Sequence, residues 1–316
     1  MIKLSIIVPI YNEALLLPTV FERFAALVNQ LPDSCGIGRS EIELIFVNDG
    51  STDHSLSQLI TFVNQTSYAS CINLARNFGH QLAITAGINR ARGNAVVVID
   101  GDLQDPPEFI INLYQKYQDG VDVVYAIRKR RLGESWFKLI TARIFYKVIA
   151  YFSHTDIIQN VGDFRLMSRR VVDVFNQLPE QHRFIRGMIP WIGFKQDGIF
   201  YERDKRYSGK TKFSIRKMVQ FSMDGITSFS TIPLKMVGVL GLWISVLGVI
   251  YTGYALYEKF VLHSTIQGWT SLVILILLMG GFQLICLGVM GEYIARIHDQ
   301  VKNRPLYVIE GEYTKK

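Results

Sequence analysis

Cysteine is scarce in this 316-residue chain, which has only three. Cys35, Cys71 and Cys286 are scattered, and the last lies inside a long apolar run, so neither a disulfide framework nor a zinc site is indicated. The glycine-rich signatures G-x-G-x-x-G and the P-loop are also missing. That removes dinucleotide binding and the usual NTPase mode from consideration. No internal repeat or low-complexity tract is present. The start, Met1-Ile-Lys-Leu-Ser-Ile-Ile-Val-Pro9, is too short for a signal peptide and lacks a small-residue cleavage site, so it reads as a first strand. The formal net charge is +7. An anionic lipid surface or an anionic substrate accounts for that excess, and no nucleic-acid partner is expected.

Charge is nearly absent from two stretches. Residues from about Pro233 to Tyr257 and from about Trp269 to Tyr293 are apolar, with Lys235 and Glu292 near their ends. Each is roughly 25 residues, enough to cross a bilayer core of ~30 Å. A short polar loop containing Glu258, Lys259, His263 and Gln267 joins them, giving the pattern of a transmembrane hairpin at 231–294. Lys205, Arg206, Lys210, Lys212, Arg216 and Lys217 precede the first run, and Arg296, Lys302, Arg304, Lys315 and Lys316 follow the second. The positive-inside rule then places residues 1–213 and the 295–316 tail on the cytoplasmic side of a plasma (inner) membrane. Two spans leave much apolar surface, and a homo-oligomer is expected.

The first 125 or so residues alternate β-rich runs (Leu4–Val8, Glu43–Val47, Ala69–Leu74, Ala95–Ile99, Val121–Ala126) with helical stretches (Ala14–Leu31, Ser55–Gln65, Gln81–Ala91, Pro107–Gln118). This predicts an α/β fold with a mostly parallel, Rossmann-like sheet. Residues 134–152 interleave aromatic and aliphatic bulk with Lys138, Arg143 and Lys147, a pattern shared by an interfacial membrane helix and an ordinary amphipathic core helix. Residues 214–230 lead directly into the first span, and interfacial placement is the better reading there.

One strand carries the chemistry. Ala95-Val-Val-Val-Ile99 ends in Asp100-Gly-Asp102. On an extended strand, side chains two apart point the same way, so both carboxylates are predicted to converge at the sheet's carboxyl edge, where ligands of open α/β sheets bind. Paired carboxylates there suit a hard divalent cation accompanied by substrate phosphates. The following Asp105-Pro-Pro-Glu108 has the form of a helix start, which assigns Asp105 and Glu108 to capping.

Several motifs together resemble the inverting GT-A glycosyltransferases of family 2. Val8-Pro9-Ile10-Tyr11-Asn12-Glu13 is like that family's V-P-x-Y-N-E. Val47-Asn48-Asp49-Gly50-Ser51-Thr52-Asp53 is like its V-[DN]-D-G-S-x-D, and Asp100-Gly-Asp102 matches its D-x-D. Gly162-Asp163-Phe164-Arg165-Leu166, the apolar pair and Arg206-Tyr-Ser-Gly-Lys210-Thr-Lys212 are similar to the polyprenyl-phosphate branch, which includes bactoprenol glucosyltransferases and dolichol-phosphate mannose synthases. The resemblance spans nearly the whole chain. It implies that Pro9, Tyr11, Glu13 and Asp49 hold the base and ribose of a sugar nucleotide. It also implies that Asp100, Asp102 and Gln104 hold Mg²⁺ or Mn²⁺. An alternative for Asp53 is a helix N-cap, which is retained; a plain Asp-Gly turn role for Asp49 is not.

Glycosyl transfer needs a stabilised leaving diphosphate and an aimed nucleophile. Arg128, nearest the strand end in Arg128-Lys-Arg-Arg131, is the candidate for extra positive charge at the leaving group. A lipid phosphate acceptor, with a second pKa of about 6, is already ionised and needs little general-base help. Asp163 or Asp156 is placed to orient the acceptor or take a residual proton, with Arg165 pairing either carboxylate. Arg206, Lys210 and Lys212 are candidates for the acceptor phosphate. The segment from His182 to Trp191, containing Arg183 and Arg186, is expected to line the acceptor side. The resulting expectation is transfer of one sugar, glucose from UDP-glucose, to polyprenyl phosphate. GDP-mannose or a UDP-amino sugar as donor, or a non-catalytic nucleotide-binding scaffold, remain alternatives.

Overall fold

Four strands form the centre of the sheet. β1 (Leu4–Ile10), β2 (Ile42–Asn48) and β4 (Ala95–Val98) are buried along their whole length, β3 (Ala69–Leu74) almost so. Burial on both faces is what a helix-covered parallel strand requires, and it explains their continuous Ile and Val content. They pair in parallel in the spatial order β4-β1-β2-β3. This is a computed structural model of the chain that describes residues 1–129, 161–202, 232–261 and 268–315.

The helices α1 (Leu17–Cys35), α2 (Ser55–Gln65), α3 (His80–Arg90) and α4 (Ile110–Gln118) connect these strands. On α1 the buried residues Leu17, Val20, Phe24, Leu27, Val28 and Leu31 recur at helical spacing and form one apolar stripe. Phe46 of β2 receives Phe21, Phe24 and Phe62 edge-on, with centroids at 5.8, 6.3 and 5.9 Å. Such pairs add about 0.5–1.5 kcal/mol each beyond area burial. The helix expected over Ala14–Leu31 starts later and ends later than that range. The helix continues to Cys35, since a proline in the last turn forfeits little, and Gly36 at φ 66° ends it with its N–H on Pro32 O at 3.1 Å.

The sheet departs from all-parallel at both flanks. β5 (Val123–Arg128), β6 (Val161–Ser168), α5 (Arg169–Gln177), α6 (Ile185–Ile192) and β7 (Gln196–Tyr201) complete one side, and β8 (Ile309–Thr314) the other. The eight-strand order is β7-β5-β6-β4-β1-β2-β3-β8. β6 runs antiparallel to both β4 and β5, and β8 runs antiparallel to β3. In the β4–β6 ladder Ala95 faces Ser168 and Val98 faces Arg165. Asp100 and Asp163 both lie just beyond that last pair, at the same end of the ladder. The direction of one strand thus determines the site.

The chain divides into a unit of Met1–Ser222 with Pro305–Lys316 and a second of Met223–Arg304. The second holds α7 (Ile232–Phe260) and α8 (Trp269–Lys302). Leu234–Tyr257 and Leu278–Lys302, with mean hydropathy 1.9 and 1.4, are long and apolar enough to cross a membrane, and neither is buried within the protein. The expected interfacial stretches 134–152 and 214–230 lie outside the described residues. The 295–316 tail is more than a tail. After α8 it pairs along β3 as β8, with Asn73 Nδ2 donating to Glu310 at 2.7 Å and Arg90 pairing with Glu312 at 2.7 Å.

Candidate active site

The loops after β1 and β2 are stitched together by the side chains of the second motif. Ser51 Oγ accepts the Asn12 N–H (3.0 Å), Asp53 Oδ2 accepts the Ala14 N–H (3.0 Å) and Ser55 Oγ accepts the Glu13 N–H (3.0 Å). In return Asn12 Oδ1 accepts the Thr52 N–H at 2.8 Å. Asp53 Oδ1 also accepts the Ser55 N–H at the start of α2, but the N-cap position itself belongs to His54, so Asp53 serves as a cross-loop tie one residue before the cap. Pro9 is buried within β1, Tyr11 stands 40% exposed beyond its end, and Glu13 is half-buried in the same loop. These three therefore lie together at the carboxyl edge.

Asp49 is differently engaged. It is buried, and its carboxylate accepts N–H groups from Phe78 (2.7 Å) and Gly79 (3.0 Å) and from the Asn77 amide (3.0 Å). Burial raises its pKa, with the Phe78 and Gly79 hydrogen bonds opposing. Gly50 is required beside it. Its φ is +64°, and a Cβ there would fall 2.3 Å from the Arg76 carbonyl carbon. Asp49 thus fixes the loop that opens α3, whose first residue is His80.

Beyond Ile99 the chain turns instead of continuing as a strand, so Asp100 and Asp102 are not brought together by strand alternation. Leu103, buried at φ 54°, takes a left-handed conformation that costs energy for a branched side chain. Asp102 Oδ1 accepts the Gln104 N–H at 3.1 Å, and the Gln104 side chain is buried. The glycine between the two aspartates packs on β1, where a Cβ would meet Ile10 at 2.5 Å.

The capping assignment of Asp105 and Glu108 is corrected. Asp105 is fully buried, pairs with Arg128 at 3.2 Å and accepts a short hydrogen bond from the Tyr201 hydroxyl. Glu108 pairs with Arg23 on α1. The expected diphosphate ligand Arg128 is therefore held by Asp105 and by Tyr201 (3.1 Å) at the end of β5, with its side chain 28% exposed. The local Asp-Pro-Pro-Glu pattern imitates a cap, and its real partners are distant in sequence.

The densest cluster surrounds Asp163, which is 2% exposed. Arg186 forks it, Nε to Oδ1 at 3.0 Å and Nη2 to Oδ2 at 2.9 Å, and His80 Nε2 lies 3.2 Å from Oδ2 and 3.4 Å from Asp100 Oδ1. Burial works against the Asp163 charge, but Arg186 and His80 outweigh it and hold the carboxyl well below its usual range. Burial likewise works against a charged His80. The hydrogen bond to Asp163 and the charges of Asp100 and Asp163 overcome it and raise the pKa to about 9. Asp100 goes the other way, pushed up to about 6 by burial with Asp163, Asp105 and Asp102 adding, against His80. Arg165, expected to pair with a neighbouring carboxylate, has Nη2 3.7 Å from Asp163 Oδ1. It is 1% exposed and donates to the carbonyls of Gly162 (2.8 Å), Asp163 (3.3 Å) and Ile185 (3.5 Å), so it is a positioning residue behind Asp163. Asp156, Arg206, Lys210 and Lys212 lie outside the described residues.

Residues 5–175 match Glycosyl transferase family 2. The chain is 45% identical to the glycosyltransferase YkcC of Bacillus subtilis, over 99% of this chain and 94% of that one. It is 44% identical to the glycosyltransferase sll0501 of Synechocystis, over 98% and 95%. With the bactoprenol glucosyl transferase of Shigella phage SfV it shares 38% identity over 99% of this chain and all of the relative. The chain belongs to glycosyl transferase family 2. It is a glycosyltransferase built on a mostly parallel mixed sheet.

A family 2 glycosyltransferase with this site fits a divalent cation. His80, Asp100 and Asp163 each offer a ligand atom, and those atoms lie within 4.8 Å of one another. Asp100 Oδ1 is buried and accepts no hydrogen bond, which leaves an anionic oxygen available to a hard cation. Asp102 and Gln104, expected ligands, are not in that group. His80 was missing from the sequence-based set. The signal was available, because Arg76-Asn77-Phe78-Gly79-His80 follows β3 at the same sheet edge as the other motifs.

Proposed function

We propose that this glycosyltransferase moves one glucose from UDP-glucose to polyprenyl phosphate. The observation that carries this is the 38% identity with a bactoprenol glucosyl transferase over essentially the full length of both chains. The two apolar helices support it, since a membrane-embedded acceptor needs an enzyme held at the membrane.

In this reading Pro9, Tyr11, Glu13 and the loop organised by Asp49 receive the nucleoside. Asp100, the member common to the Asp102–Gln104 motif and the His80–Asp163 cluster, is the principal ligand of Mg²⁺ or Mn²⁺. That ion supplies Lewis-acid stabilisation of the departing diphosphate. Arg128, held by Asp105, adds positive potential nearby. The bond from the anomeric carbon to the diphosphate oxygen breaks as the bond to the acceptor phosphate oxygen forms. UDP leaves, and configuration inverts. The attacking oxygen is ionised near neutral pH. Asp163, held ionised by Arg186 and His80, therefore orients charge in place of taking a proton. Asp156, Arg206, Lys210 and Lys212 belong to the acceptor side of this scheme. Both termini face the cytoplasm, by the basic flanks of the apolar helices, and the enzyme is a homo-oligomer.

The test is transfer of label from radiolabelled UDP-glucose into organic-extractable lipid, with purified protein, polyprenyl phosphate and Mg²⁺ or Mn²⁺, beside an Asp100→Ala variant. Label that disappears with EDTA and with the variant supports the reading. Label from GDP-mannose or a UDP-amino sugar alone corrects the donor. Folded protein that binds nucleotide and transfers from no donor refutes it.

A further inference from the structure

Two arginines address Asp163, and they differ in access. Arg165 is enclosed, gives its N–H groups to three backbone carbonyls and lies with its guanidinium 5.4 Å from the Tyr125 ring centroid. It holds β6 to the first residue of α6 and has no route to a substrate. Arg186 makes the two-pronged contact with the same carboxylate, yet its side chain is 34% exposed.

The platform beneath Arg186 is fixed. The N–H of Ile185 donates to Gln81 Oε1 at 3.0 Å, which ties the start of α6 to α3 beside His80. The neighbouring Arg183 faces elsewhere, donating to the carbonyls of Leu178 (2.6 Å) and Phe175 (3.4 Å) at the end of α5. Of the two arginines in this segment, Arg186 is the one directed at the reacting centre.

A planar guanidinium recognises carboxylate and phosphate through the same fork of parallel N–H bonds. The Asp163–Arg186 contact is therefore a carboxylate occupying a geometry that a phosphate monoester can also use. Any ionised phosphate brought to this edge approaches Asp100 and Asp163 and needs a cation at the mouth of the site. His80, itself 45% exposed, sits between both carboxylates and offers no planar fork, and Arg165 is sealed beneath, so Arg186 is the guanidinium of this cluster combining an inward anchor with outward access.

We propose that Arg186 grips the phosphate of the acceptor, exchanging part of its fork on Asp163 for phosphate oxygens as the acceptor arrives. This rests on the reading of the acceptor as a lipid phosphate monoester, and it makes Arg186 a binding residue for that phosphate, distinct from the metal-assisted grip on the donor diphosphate.

The experiment uses full-length protein in nanodiscs, with Arg186→Gln and Arg186→Lys. Polyprenyl phosphate is varied at saturating UDP-glucose, and donor affinity and acceptor-free hydrolysis of UDP-glucose are measured on the same preparations. The expected result for Arg186→Gln is an acceptor KM raised by about tenfold or more, with donor affinity changed far less and any fall in hydrolysis smaller than the loss in acceptor kcat/KM. Arg186→Lys, which keeps the charge but loses the fork, falls between. An unchanged acceptor KM with a lowered kcat overturns the proposal and makes Arg186 a support for Asp163 alone. Weakened donor binding with an unchanged acceptor KM overturns it in favour of the donor diphosphate. Parent enzyme that glucosylates a polyprenyl alcohol but not the phosphate overturns the acceptor reading itself, and the proposal with it.

Discussion

His80 Nε2 lies 3.2 Å from Asp163 Oδ2, and the same nitrogen stands 3.4 Å from Asp100 Oδ1. Three elements distant in sequence therefore meet at one carboxylate-rich point. Its electrostatics are unequal, with one carboxyl held low, the other raised and an imidazole raised between them.

Stability should depend on pH through His80. Its folded pKa of about 9 lies above the ordinary histidine value of 6.5, so its pairing with Asp163 contributes fully below pH 6.5 and is lost as pH rises through 9. Metal-free protein should show a melting temperature that declines across that window, and His80→Gln should flatten the decline. A parent profile that is level from pH 6 to 10 would refute the assignment.

Asp100 gives the opposite signature for metal. Its pKa of about 6 means that a cation competes with a proton below that pH, so Mn²⁺ affinity should weaken by about tenfold per unit once pH falls under 6. Titration calorimetry at pH 5, 6 and 7 reads this directly. Asp100→Asn should show weak binding without the slope.

Asp105 is fully buried and pairs with the partly exposed Arg128, and Tyr201 closes the pair. Removing one partner of a buried pair typically costs 3–5 kcal/mol. Asp105→Ala should therefore lower stability by about 3 kcal/mol in denaturant unfolding, far more than loss of a helix cap at ~1 kcal/mol. A loss near the lower figure would return Asp105 to the capping role.

Ending the chain before Pro305 removes β8 and uncovers the edge of β3. An open edge strand is a template for self-association. Truncated protein should elute as aggregate in size-exclusion chromatography under detergent conditions where the full chain stays discrete.

Much of this architecture is legible in the residues themselves. β1, β2 and β4 announce themselves as apolar runs because both of their faces are covered, and the motifs at their ends are local in sequence. Partners were not legible. Asp49 reads as a ligand residue, but its carboxylate is taken up by the N–H groups of Phe78 and Gly79, which no spacing around Asp49 reveals. Asp105 and Arg128 were both noticed, one as a cap and the other as a phosphate ligand, and the fact that they hold each other depends on how β5 lies beside β4's loop. His80 carried no recognisable motif. It enters the site because β6 runs antiparallel and sets Asp163 beneath it, and strand direction leaves no trace in local periodicity.

The chain leaves the sheet at one edge, after β7, and rejoins it at the other, as β8. Everything between is the stretch that holds the two apolar helices. Ribosomal synthesis runs from the amino end, so the sheet's last strand is translated only after both of those helices. Until then β3 waits with its outer edge uncapped. Completion of the sheet's β3 edge therefore waits on synthesis of both apolar helices, and a chain that stalls within the helical pair would leave an exposed strand as the mark of unfinished biogenesis.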